Sequence, residues 1–429
     1  MIRSNKIGFF SVFALVISSQ IGSGIFILPI SLAPYGVYAP ISWIISGFGA
    51  ICLTLVFAIL CSKFPETGGP HIYVKYVFGN TIAFFVGWTY WVISWVSTTA
   101  VVIASISYFV SFCSNGKIQN INLILEIMLM IFIMLINLRG ITIVGYIEVI
   151  LMIIKISALL IIPTIVIFYF SINHLFVSEK LLHLTTTQLL ARSTLLTLWC
   201  FIGLESATIS ADSVNNPIKI IPRAMILGTI LVAFIYLFNS VAIMGLIDSK
   251  ELAISQAPYF DAMQMIFYGI SGQIIISIIV MIVCISSLNA WVLGSGQVAL
   301  SLAKEKFMPQ IFTTRNKYGA PIWGISMSVL GTCLLLMLTA SKNFAQQITF
   351  IINISVVSYL FVYLVCSLVF LTIMAQEKCY FKLWIGIIAI SFCIWLICTL
   401  SVNILLIASL FTVSGIPIYL LWYRKMVLS

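Results

Sequence analysis

Charge is what this chain has least of. Of 429 residues only 7% are Asp, Glu, Lys or Arg, and just 11 are acidic. Water-soluble domains carry about 25% charged residues, so a soluble fold is excluded. Histidine is nearly absent too: His71, His174 and His183 are the only three, all expected in loops or near span ends. None belongs to an HxxxH or ExxH pattern, which leaves no candidate metal centre and no histidine-based acid–base pair. The ten cysteines stand singly inside apolar runs without a CxxC pair, so they read as small buried hydrophobes rather than a zinc or disulfide framework. No polar stretch is long enough to fold as a separate soluble domain. A channel would need a repeated filter loop or a ring of like charges, and neither is found. No metal, cofactor, nucleic-acid partner or enzymatic activity is expected.

What is abundant is apolar sequence, at 62% of residues. A bilayer-spanning helix needs roughly 20 such residues. Spans are predicted near 7–32, 39–62, 81–112, 121–138, 143–171, 193–213, 223–247, 264–302, 321–340, 347–375, 380–400 and 403–423. Twelve spans put both termini on one side. If that side is cytoplasmic, it holds Arg3, Lys6, Lys63, Lys75, Arg139, Lys219, Arg223, Lys304, Lys306, Arg315, Lys317, Lys378, Lys382, Arg424 and Lys425. The other side holds Lys117, Lys180, Arg192, Lys250 and Lys342. Fifteen against five is a strong positive-inside bias, and it accounts for the net charge of +10 without a polyanionic partner. Arg3 and Lys6 before an apolar run superficially resemble a signal peptide. The run is too long for one and no small-residue cleavage site follows, so it reads as an uncleaved first helix.

Two spans are interrupted. Ile21-Gly22-Ser23-Gly24-Ile25-Phe26 lies in the middle of span one. Glycine costs about 1 kcal/mol against alanine within a helix, and loosened backbone in hydrocarbon leaves amide groups unpaired. Such a break persists where protein or a cavity covers it, and the new helix N-terminus then suits an anionic group. The alternative is a glycine pair for close helix packing. Span six carries Trp199-Cys200-Phe201-Ile202-Gly203-Leu204-Glu205-Ser206, with a glycine and a carboxylate near its centre. Spans one and six open two five-span halves, and matched interruptions of this kind point to an inverted-repeat transporter site. The Pro65-to-His71 loop reads as tight turns.

These stretches, with Asn216-Pro217 and Lys317 to Pro321, resemble the amino acid–polyamine–organocation transporters over nearly the whole chain. The likeness is closest to bacterial arginine/agmatine antiporters and related basic amino acid and amine exchangers. The resemblance implies an all-α membrane protein with a 5+5 inverted repeat of LeuT-like type. Repeat one covers about 7–171, repeat two about 193–375, and two C-terminal helices at about 380–423 often support a homodimer. It implies a bacterial inner-membrane location. It further implies that amides of Ser23 and Gly24 hold a substrate carboxylate, next to Ile21. Carbonyls near Gln20, Trp199, Cys200 and Ile202 would meet the α-amino group. The distal cation would lie over Trp291, its far end held by carbonyls of Ile93 and Ser94, by Ser355 and at Thr98. Trp199 matches a middle gate, and Tyr90, Glu205 and Tyr363 an outer gate.

The chain departs from that pattern in three places. Thr98 stands where the antiporters have an asparagine, and Gln20 replaces an aliphatic residue, so arginine itself is in doubt as substrate. Lys155 lies deep in span five, at a place where proton-coupled permeases of the superfamily carry a lysine and the arginine/agmatine antiporters do not. A buried lysine can exchange its proton near neutral pH. The alternative is a lysine snorkelling along its helix. The expected function is exchange of a cationic amino acid for its decarboxylated amine or another amino acid, by alternating access. The alternative is proton-coupled symport using Lys155.

Overall fold

The structure is a computed structural model describing residues 6–114, 122–255, 257–266, 270–339 and 344–427. Arg3, Lys117 and Lys342 of the charge count lie outside these residues. Within them, secondary structure is helical apart from two isolated bridges. Ten helical segments are long and apolar enough to cross a membrane, and Asn122–Asn137 is a shorter apolar helix. Large apolar side chains such as Phe10, Phe48, Ile150 and Leu338 point outward around the bundle. Such a belt is favourable only against acyl chains, and the chain is a multi-pass membrane protein.

The first span is two helices, α1 (Phe9–Gln20) and α2 (Gly24–Leu32). Ile21 turns extended, with ψ 100°, and ends α1. α3 (Tyr38–Lys63) returns across the bundle. α4 (Pro70–Ser114) starts before the expected span three and bends at Gly79, whose φ of 76° suits a residue without a side chain. His71 is therefore not in a loop. It lies buried in the first turn of α4, with Nε2 3.1 Å from the Ser301 hydroxyl. α5 (Asn122–Asn137) and α6 (Ile141–Val166) follow.

α7 (Thr186–Trp199) opens with a capping box, Thr185 and Gln188 satisfying each other's backbone amides. It stops at Trp199, and Gly203 takes φ +100° in the turns that follow. The chain continues as a 3₁₀ helix over Ser206–Ser213. Next come α8 (Pro217–Leu246), short α9 (Ser249–Leu252), α10 (Pro258–Ile266) and α11 (Ile270–Lys304). α12 (Ile322–Thr339), α13 (Phe344–Gln376), α14 (Tyr380–Cys398), α15 (Val402–Val413) and α16 (Ile416–Val427) finish the chain. α1 is held among α6, α8 and α11, while α4 packs on α11 and α13. The two interruptions therefore sit at the centre of the bundle.

Candidate functional site

The two breaks touch. The Ser19 hydroxyl donates to the Gly203 carbonyl at 3.0 Å and lies 2.7 Å from the Ser206 hydroxyl. A methyl group on Gly203 would come within 2.9 Å of Ser19 and 3.0 Å of Trp291, so the approach requires glycine. Gly24 is equally constrained: a Cβ there would lie 2.4 Å from Cys200 Sγ and 3.0 Å from the Trp199 ring. Between the breaks lies a polar cavity. Gln20, Ser23, Gly24, Thr98, Trp199, Cys200, Ile202 and Trp291 of the predicted site all line it.

The backbone here has bonding capacity to spare. Among the described residues, no backbone acceptor takes the amides of Ser23 or Gly24, and no backbone donor reaches the carbonyls of Cys200 or Ile202. Free amides at the start of α2 suit a carboxylate, and free carbonyls suit an ammonium. Two side-chain atoms on the cavity wall, Gln20 Oε1 and Ser23 Oγ, are buried without a partner. The rest of the Gln20 amide is fixed, its Nε2 donating to the Val16 carbonyl and to Thr229, each at 3.3 Å. The Gln20 carbonyl is already used, accepting from the Tyr236 hydroxyl at 2.7 Å. Trp291 is pinned by its edge, Nε1 donating to the Ser19 carbonyl at 2.9 Å. Its ring therefore stands fixed at the cavity. No acidic side chain lines the space.

Other predicted residues sit elsewhere. Ile21, Ile93, Ser94 and Ser355 are buried but do not line the cavity. The Ser94 carbonyl already accepts from Ser97 at 3.1 Å, and the Ser355 hydroxyl has no partner. The Thr98 hydroxyl donates to its own helix at Trp95, 2.7 Å away. Ser97, Val101, Tyr236 and Ser287 line the cavity without having been singled out in the sequence. Helical spacing, from Ser94 to Ser97 and from Thr98 to Val101, was the signal for Ser97 and Val101.

Tyr90, Glu205 and Tyr363 form one cluster. Both tyrosine hydroxyls donate to the Glu205 carboxylate, at 2.6 and 2.7 Å. Glu205 follows the second break, and the chain beyond it reaches Val214, which bridges to Ile7 just before α1.

Behind the first break is a second polar group. Lys155 is fully buried, its Nζ donating to Ser286 at 2.8 Å and standing 3.5 Å from the Ile21 carbonyl. It does not snorkel. Glu148, missed in the sequence, shares this site. Its position seven residues before Lys155 was the available signal, because that spacing puts both on one helix face.

A cavity between two interrupted helices, within a lipid-facing bundle, is the arrangement of a membrane transporter's substrate site. The family described as amino acid permease matches residues 7–424, and the chain belongs to that family. It is 31% identical over 367 residues to the putrescine transporter PotE of Escherichia coli K12, covering 84% of this chain and 82% of the relative. The Haemophilus influenzae putrescine transporter PotE is 30% identical over 386 residues, covering 88% and 86%. A cadaverine/lysine antiporter of Escherichia coli K12 is 28% identical over 348 residues, covering 80% and 77%. The chain is thus a transporter of amino acids or amines.

Proposed function

We propose that this protein exchanges a short aliphatic diamine for a cationic amino acid across a bacterial inner membrane, with both termini cytoplasmic. The observation that carries this reading is the cavity wall: indoles at Trp199 and Trp291, the unpartnered Gln20 oxygen, spare carbonyls at the second break, and no carboxylate. An ammonium over an indole gains about 0.5–2 kcal/mol. Neutral ligands hold a cation weakly enough to release it, as a carrier requires. The free amides of Ser23 and Gly24 would take the carboxylate of the amino acid, a group the diamine lacks.

The likeness to transporters of putrescine and of cadaverine/lysine favours diamines over agmatine. Arginine/agmatine exchange is accordingly not proposed. In the same reading the twelve spans form two five-span inverted repeats, 7–171 and 193–375, with α14 to α16 outside them. Trp199 closes the cavity on one side and the Tyr90–Glu205–Tyr363 cluster on the other.

The test is radiolabelled counterflow in proteoliposomes with putrescine, cadaverine, agmatine, ornithine, lysine, arginine and neutral amino acids. Diamine efflux that requires a cationic amino acid outside is the expected result. Counterflow confined to neutral amino acids would overturn the reading.

A further inference from the structure

We propose that Glu148 is the fixed counter-charge of Lys155, and that this buried pair keeps the first break in place while substrates exchange without a proton passing through Lys155. The proposal rests on the exchange reading above and deepens it.

The two residues lie two turns apart on α6, and both are fully buried. Ser286 joins them: it accepts from Lys155 Nζ and donates to Glu148 Oε2, each at 2.8 Å. The Ser18 hydroxyl of α1 stands 2.9 Å from Ser286. The other carboxylate oxygen, Oε1, accepts from Asn289 Nδ2 at 2.6 Å, and Asn289 accepts in turn from Asn137 at 2.8 Å. The cluster thus ties α1, α5, α6 and α11 together behind the break, and Lys155 faces the Ile21 carbonyl.

A lysine that carries a proton through a cycle must stand neutral in one state. Here that would strand Glu148 as a lone buried carboxylate, which is strongly unfavourable. Passing the proton through Ser286 to Glu148 changes no net charge. Among the described residues of α1, α5, α6, α8 and α11, the other titratable or charged side chains are Glu126 at the far end of α5 from Asn137, the exposed Tyr146 of α6, Lys219, Arg223 and Tyr236 of α8, and Cys284 and Lys304 of α11; the exposed Tyr169 lies beyond α6. The Tyr236 hydroxyl is committed to the Gln20 carbonyl. None of these offers Lys155 another buried anion at the break. Nor do Glu148, Lys155 or Ser286 line the substrate cavity.

The experiment compares wild type, E148Q, K155M and E148Q/K155M, purified whole into proteoliposomes. Lysine–cadaverine and ornithine–putrescine counterflow is measured at several pH values, with and without a pH gradient. Wild type should exchange without responding to the gradient. Each single variant should lose about tenfold or more, E148Q with a newly pH-dependent rate, while the double variant recovers to within about threefold of wild type. Gradient-driven accumulation without counter-substrate in wild type would overturn the proposal. So would an E148Q variant with unaltered rate and pH profile, or a double variant no better than either single. If neither substrate pair exchanges, the exchange reading itself fails. Melting temperatures then decide the pairing: a double variant above both singles retains it, and one at or below them removes it.

Discussion

The first break has two faces, and they are built oppositely. Towards the cavity it offers neutral groups: free amides, the Gln20 oxygen, two indoles. Away from it stand a full positive and a full negative charge, Lys155 and Glu148, with each carboxylate oxygen bonded. Permanent architecture can use strong, compensated charges, because nothing has to leave. A transient cation needs weak ligands, because tight binding would slow its release. Glu205 falls between the two. It is buried and doubly bonded, yet by tyrosine hydroxyls and without a cation. A carboxylate held that way can exchange its partners as helices rock.

The sharpest way to break the contrast is to spoil the cavity wall alone. Gly24→Val places carbon within 2.4 Å of Cys200 Sγ and against Trp199. Overpacking of this kind costs about 1–3 kcal/mol where it can be absorbed at all. Substrate binding to the purified protein should fall below detection while the fold, followed by circular dichroism, persists. Retained binding would move the carboxylate site away from the start of α2. Glu205→Ala comes next. It leaves two buried tyrosine hydroxyls unpaired, at about 1–3 kcal/mol each. Counterflow should slow by about tenfold or more, with affinity changed by less than about threefold. An unaltered rate would deny the cluster any part in gating.

Much of the cavity face was legible in the sequence, because a glycine pair in the middle of an apolar run weakens a helix where lipid tolerates weakness least. Gly22 and Gly24 marked one interruption, and Trp199 to Glu205 the other. The back face was not legible in the same way. Lys155 stands out in the sequence as a lone cation, and its meaning changes with Glu148 beside it. A single residue in a span shows its charge; its partner shows only through helix geometry and through α11, which brings Ser286 and Asn289 from over 130 positions away.

Trp291→Leu tests the cavity face more gently. The indole is anchored through Ser19, so its loss removes a positioned π-face as well as bulk. Cationic substrates should bind about two- to thirtyfold more weakly, and neutral amino acids less so. Equal losses in both would take Trp291 out of cation recognition.

The smallest effect belongs to charges in neither region. Lys63 pairs with Glu377, and Lys304 lies 3.5 Å from Asp212, all partly exposed at the rim on the N-terminal side. Water and salt screen such pairs, which contribute about 0–1 kcal/mol. Glu377→Gln should therefore shift the melting temperature by no more than a degree or two and leave counterflow unaltered. The same change of one atom, Glu to Gln, is expected to cost about tenfold in flux at Glu148. Matched losses at the two positions would mean that burial gives the inner pair no special weight, and the opposition between the faces of the break would disappear.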